Sequence, residues 1–281
     1  ADLTFAAHGE EMHFEEAFFT TLDLPRVTVR GGRMYASFGR HNALHTHAFP
    51  LLGAPLPWRT LLGIDGLNDV GLSAAVLLPL PFFAELVIEV FDGQMTPFAP
   101  AEPEPGSEPI DVREFWDLAW IGRLRTVFDV GETSAIEFGG TWLGGRGAGG
   151  GVTQVMGADV TFKRPPAGRL RGGAWHAGVE VLAVHRPDDH EPWQGGAFAA
   201  AGHQLSGRWW LRARGALLGL PGLQDAGALR AEALLAFVPT ETSAFRLQYA
   251  FERPEPGTVN AIHELFLQAV FSIGPHPAHP W

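Results

Sequence analysis

The sequence contains no cysteine, which excludes a disulfide scaffold, a thiolate metal site and a thiol nucleophile. Lysine is almost absent, and charged residues make up 18% of the chain, below the roughly 25% of an ordinary soluble protein. The formal net charge of −11 argues against a nucleic-acid binder. A long uninterrupted apolar run is also missing. The most apolar window, Val70–Ile88, holds Pro79, Pro81 and Glu85, and two prolines in its middle remove donors and clash with a helical turn. It reads as two strands joined at Leu80-Pro81, so no membrane-crossing helix is expected. Ala1-Asp2-Leu3 opens into a strand-like stretch with no basic segment and apolar core of an export signal. The chain is therefore expected to be unexported or, on the reading below, a mature product whose signal peptide has been removed.

What is present is 35 glycines, 22 prolines, 20 phenylalanines and nine tryptophans in 281 residues. Together with 46% hydrophobic residues, that composition excludes disorder and suggests short strands punctuated by turns. The period confirms the strands. Leu265, Leu267, Ala269 and Phe271 alternate with Glu264, Phe266, Gln268 and Val270. Phe245, Leu247, Tyr249 and Phe251 alternate with Arg246, Gln248 and Glu252, and Trp209, Leu211 and Ala213 with Trp210, Arg212 and Arg214. Each run is about ten residues long, enough to cross a bilayer as a tilted strand. The polar face lacks the Lys, Ser and Thr richness of a soluble sheet facing water. Trp116, Trp120, Trp142, Trp175, Trp193 and Trp209 stand near run ends, where interfacial girdles would lie.

Connections alternate in length. Short ones are expected at Leu22–Arg26, Leu78–Phe82, Asp129–Glu132, Leu205–Gly207 and Pro239–Thr242, with Pro165–Arg171 an exception, somewhat long for that series. Long ones are expected at Gly39–Gly66, Asp92–Phe115, Gly144–Gly151, Arg186–Trp193, Gly219–Gly227 and Arg253–Val259. Short turns on one side and long loops on the other are the asymmetry of an outer-membrane barrel. The expectation is an all-β, single-domain chain over 1–281: a transmembrane antiparallel up-and-down β-barrel of about fourteen strands, with twelve or sixteen as alternatives. A periplasmic tail would occupy 274–281.

Leu24-Pro25-Arg26-Val27-Thr28-Val29-Arg30-Gly31-Gly32-Arg33-Met34, followed by Phe38-Gly39-Arg40, resembles the phosphate-selective porin O/P-like families of outer-membrane porins. In those, a strand ending in such a motif leads into an inward-folded third loop. The closing strand through Phe271, with Ser272-Ile273-Gly274-Pro275, is similar to the C-terminus of such barrels and to their assembly signal. The resemblance implies a bacterial outer-membrane location, lipid and lipopolysaccharide as surroundings, and a pore for small solutes. Two departures stand out: the chain is short for a sixteen-strand barrel, and its interior mixes charges where those porins carry an Arg and Lys ladder. Phosphate selectivity is therefore not transferred.

Roughly fourteen strands enclose a backbone diameter near 28 Å, too wide for wall side chains to fill. The Gly39–Gly66 loop is the connection long enough to fold inward. Phe49, Pro50, Leu51, Leu52, Pro55, Leu56, Pro57 and Trp58 are too apolar for an exposed loop, and Arg40, His41, His45, His47 and Arg59 would border the aperture. The histidines admit three readings: packing inside the mouth, a transition-metal site, or a constriction that gains positive charge below about pH 6.5 and biases the pore toward anions. Their spacing matches no closed zinc motif, and no metal or cofactor is expected. Arg123, Arg125, Arg212, Arg214, Arg230 and Arg246 would face the interior with Glu137, Asp159, Glu180, Glu232 and Glu264, either setting selectivity or pairing across strands. Leu211, Leu247, Tyr249, Leu265, Leu267 and Phe271 would face lipid. No nucleophile–base–acid set assembles, and Gly144–Gly151 lacks the Lys-Ser/Thr ending of a phosphate loop, so an enzyme is not expected. The expected function is passive diffusion of small hydrophilic solutes or ions, anion-biased, by a monomer or a homo-oligomer. The alternative is a structural or surface-binding barrel without conductance.

Overall fold

The computed structural model describes residues 2–8, 11–45, 48–98, 117–147, 150–166, 173–189, 191–221, 227–240, 242–254 and 260–271. The strands are β1 (Asp2–His8), β2 (Glu11–Thr20), β3 (Val27–Tyr35), β4 (Asn68–Leu77), β5 (Phe83–Phe91), β6 (Ala119–Val130), β7 (Ser134–Arg146), β8 (Val152–Arg164), β9 (Trp175–His185), β10 (Trp193–Gln204), β11 (Trp209–Leu220), β12 (Leu229–Thr240), β13 (Ser243–Arg253) and β14 (Ile262–Phe271). They form one fourteen-stranded sheet in sequence order, and every neighbouring pair is antiparallel. The expected all-β up-and-down architecture and strand number are met. Among the described residues no helix is long and apolar enough to cross a membrane. Val70–Ile88 divides into β4 and β5 around Pro79 and Pro81, as the prolines require.

The two-residue period keeps its phase across the sheet because residues directly opposite each other in a ladder point to the same face. Leu211 pairs with Leu235, Leu235 with Leu247, and Leu247 with Leu267, giving a leucine row on one face. Three residues along, Arg214 opposes Glu232, Glu232 opposes Ala250, and Ala250 opposes Glu264 on the other. The first face is exposed throughout, and the second is largely buried.

The connections follow the expected alternation except between β8 and β9, where 165–174 is long for the short-turn side. Short turns at 131–133 and 205–208 contrast with long segments at 36–67, 92–118 and 254–261. Gly131 takes the left-handed conformation (φ 67°) that the tight β6–β7 turn needs.

The 36–67 segment covers the charged face. Its contacts run from Glu15 of β2 through Glu180 of β9 to Gln248 of β13, so the sheet curls around it. The inward fold was expected; a helix in it was not. Residues Leu56–Leu61 form α1, with a proline in its first turn and Leu56, Pro57, Trp58 and Leu61 buried. Six residues are too few to be helical alone. Packing against β10 and β11 supplies the stability, and Gly196 lets Pro57 sit directly on the strand: a Cβ there would stand 2.7 Å from the proline ring.

Candidate functional site

The enclosed face and its loop form two layers. Toward the long connections lies an apolar core of Met34, Phe38, Leu61, Leu62, Leu67, Phe91, Met95 and Phe98, closed by Ile121, Leu143, Val155 and Val184 of β6–β9. Met95 and Phe98 come from the segment after β5 and were not foreseen. Asp69 holds that segment in place by accepting from the amides of Gly93 (2.9 Å) and Gln94 (2.8 Å).

At mid-depth the packing turns polar, and the loop backbone supplies much of it. The entry is clasped by Asn42. Its side-chain amide donates to the carbonyls of Ala36 (2.8 Å) and Leu67 (3.0 Å), and its oxygen accepts from Leu67 N–H (2.8 Å). Three bonds from one side chain thus tie the two ends of the loop together. Glu89 accepts from Ser37 N–H (2.7 Å) and Oγ (2.8 Å). Glu180 accepts from the amides of Arg40 (3.1 Å) and His41 (3.4 Å). Gly39 permits that approach twice over: its φ is +57°, and a Cβ would stand 2.4 Å from the Glu180 carboxylate.

The middle of the loop is fastened to the opposite wall by β11 and β13. Arg212 donates to the Pro50 carbonyl (2.9 Å), Arg246 to Phe49 (3.0 Å), and Arg214 to Gly53 (3.1 Å). Gln248 accepts from Leu52 N–H (2.7 Å) and donates to its carbonyl (3.2 Å), as a neighbouring strand would. Arg212 also lies over the Trp210 ring, 5.2 Å from its centroid.

Most of the remaining charges pair. Arg123 is bidentate on Asp159 (2.7 and 3.0 Å) and donates to Thr141 Oγ1 (2.8 Å). Arg125 meets Glu85 (3.0 Å) and Glu137 (3.8 Å), and Glu137 meets Arg40 (3.6 Å). Arg214 and Arg230 share Glu232, Arg230 reaches Glu252 (2.6 Å) and Glu264 (2.7 Å), and Arg59 of α1 also binds Glu252. Of the two roles open to these charges, cross-strand pairing is the one the geometry displays. Leu211, Leu247, Tyr249, Leu265, Leu267 and Phe271 all stand on the exposed opposite face.

Asn42, Glu89 and Gln248 were missed by sequence reasoning. Gln248 and Glu89 carry one signal, a polar side chain at the inward phase of an alternating run, whereas Asn42 carries none.

The histidines part company. His47 lies outside the described residues. His41 is packed between Phe49 (4.4 Å) and Phe198 (6.1 Å). Burial, with the Arg214 charge nearby, pushes its imidazole down to about 3. The expected gain of positive charge below pH 6.5 therefore fails at His41: the apolar surroundings exclude the imidazolium. His45 stands between Glu16 (3.0 Å) and Glu15 (3.1 Å), with the edge of Tyr35 against it. The hydrogen bond to Glu16 leads in raising its pKa, burial opposes, and Glu15 adds to the rise. A raised histidine pKa contributes stability that is fully present below about pH 6.5 and lost as pH climbs through the folded value. Replacing His45 by Gln should therefore destabilise the protein by about 1 kcal/mol at pH 5.5, a modest value because the pair is partly solvated. The difference should shrink toward zero by pH 9 in urea titrations at the two pH values. A deficit that grows with pH would remove His45 from the ion pair. Among the described residues no cluster of three potential metal ligands occurs.

No protein-family model matches the chain. It is 29% identical, over its whole length, to an uncharacterised protein of Aquifex aeolicus (strain VF5), and it spans 66% of that relative's length.

Proposed function

We propose that the chain is a closed transmembrane β-barrel of the bacterial outer membrane, a porin-type passage for small hydrophilic solutes or ions whose aperture is set by the 36–67 loop. The similarity to phosphate-selective porin O/P-like barrels enters for architecture only. The observation that carries the reading is the inward loop, fastened to the wall by arginine-to-carbonyl and amide-to-carboxylate bonds around the interior. The membrane setting is supported by the exposed face. Leu72, Ile88, Leu124, Val160, Val179, Leu211, Leu247 and Leu267 leave a continuous apolar surface, far beyond the few hundred Å² a soluble protein tolerates.

Aromatic pairs border that surface at two heights. Trp175 stacks on His203 (4.1 Å) near the short turns, and His185 packs on Trp193 (4.6 Å) near the long loops. The two pairs lie ten residues apart along β9 and β10. That is roughly 33 Å of strand and, at a tilt of about 40°, roughly 25 Å of height, the thickness of an outer-membrane apolar band. In hydrocarbon an open sheet edge costs several kcal/mol per unpaired backbone group, so β14 closes on β1. Lipids and lipopolysaccharide surround the barrel, as a monomer or a homo-oligomer. Because most interior charges are paired and His41 stays neutral, no bias of the whole passage toward anions is proposed.

A second reading, a barrel without conductance, is favoured by one observation: Arg123, Asp159, Arg214, Glu232 and Gln248 are all buried at mid-depth. Planar-bilayer recordings separate the two, using the parent and a variant with residues 44–56 replaced by a short Gly-Ser linker. The porin reading expects small steps from the parent and steps several-fold larger from the variant. A silent parent with a conducting variant marks the loop as a plug. Silence from both, with folding intact, removes the passage.

A further inference from the structure

Between the loop and β8–β10, on the short-turn side, lies a recess of about 90 Å³. Its wall is ordered by strand register. The row nearest the short turns is Lys163, His176 and Gly202; the next is Thr161, Gly178 and Ala200; the deepest is Asp159, Glu180 and Phe198. The middle row is made of small residues, and this leaves the space open. The floor is the loop itself, with Leu44, Ala48 and Pro50 beside His41. Charge is placed unevenly. Lys163 is the sequence's single lysine, stands at the mouth, and has no hydrogen-bond or ion-pair partner among the described residues. Arg40 joins it there, held loosely by Glu137 at 3.6 Å. Glu180 also lines the recess, but its carboxylate is turned to the loop amides. At the floor, His41 Nε2 is buried without a hydrogen-bond partner among the described residues.

We propose that this recess binds a short-chain hydroxylated organic carboxylate. The carboxylate sits between Lys163 and Arg40, the alkyl stretch lies against Phe198 and Pro50, and the hydroxyl satisfies His41 Nε2. An unpaired buried polar atom is costly, so a ligand with a polar group at each end and an apolar middle fits better than a compact inorganic anion. Mouth and floor rows are four residues apart on β8, roughly 13 Å. The Lys163 stem spans part of that distance and leaves room for a chain of about four carbons. This deepens the porin-type reading by naming a solute class, and it rests on that reading only for its purpose, since binding is measurable without conductance.

The test is calorimetric titration of the full chain in lipid nanodiscs with 4-hydroxybutyrate, butyrate, butanol and inorganic phosphate. Saturable binding of 4-hydroxybutyrate is expected, with butyrate and butanol each weaker. Lys163→Gln should weaken 4-hydroxybutyrate about tenfold, the loss of one charge-assisted contact. Because Lys163 is the one side-chain amine, bound ligand should also slow its acylation, read by mass spectrometry. Ala200→Leu, which fills the middle row, should abolish both effects. Absence of saturable binding overturns the proposal, as does phosphate binding equally well or Lys163→Gln leaving affinity unchanged. Conductance with no binding sinks the site and leaves the pore standing. Binding without conductance does the reverse.

Discussion

Replacing Asp159 by Ala should destabilise the protein by about 3 kcal/mol, the low end of the cost of stranding one member of a buried ion pair. Arg123 and Asp159 are 4% and 3% exposed, and the guanidinium has both carboxylate oxygens within 3.0 Å. Without Asp159, Arg123 keeps Thr141 Oγ1, and this partial compensation sets the effect below the top of the range. Gly139 shows how tightly the pair is seated, since a Cβ there would come within 2.5 Å of both partners. A double replacement, Arg123→Met with Asp159→Leu, removes both charges and should recover most of the loss, because desolvation of the pair already offsets much of its attraction. Urea titrations of the parent, Arg123→Met, Asp159→Leu and the double variant in lipid vesicles give the coupling directly. Single losses that simply add in the double variant would show that the two side chains do not act as a pair.

That pair illustrates what the sequence discloses. Arg123 and Asp159 each sit at the inward phase of an alternating run, so their face was legible from residues on either side. The leucine row and the exposed face were legible for the same reason: a two-residue period leaves no freedom once one position is fixed. The apolar stretch Phe49–Trp58 likewise announced a loop that must be covered. The partners were not legible. Arg246 binds Phe49 across 197 positions and Gln248 binds Leu52 across 196. Such contacts depend on how a folded loop is laid against a curved wall, which no local pattern encodes. The same gap explains the histidines. Three imidazoles in one loop suggest a common titration near pH 6.5, yet His41 is enclosed by two phenylalanines while His45 lies between two glutamates. Opposite surroundings, four residues apart, drive their pKa values in opposite directions. α1 escaped for a related reason, since six residues carry no helical period of their own and the turn forms where Gly196 offers a flat strand for Pro57 to rest on.

Replacing Leu247 by Arg should cost roughly 2–4 kcal/mol in lipid, the cost of a charge on the apolar face of a barrel near the midplane. The leucine row Leu211–Leu235–Leu247–Leu267 places the position at mid-height, and its neighbours on the same face are apolar. A second variant tests the opposite face. Gln268 lies directly across from Arg246, so Gln268→Glu introduces a charge beside an existing guanidinium and should change stability by no more than about 1 kcal/mol. The two substitutions are at equivalent depth and differ in which face they load. If the exposed face met water, Leu247→Arg would be close to neutral, since exposed surface substitutions usually fall within about 0.5 kcal/mol. Folding titrations into lipid bilayers therefore decide between a membrane barrel and a water-soluble sheet with one pair of variants. A large loss at Leu247 with a small change at Gln268 fits the bilayer. Equal losses would mean the faces are assigned wrongly, and a neutral Leu247→Arg would take the sheet out of the membrane.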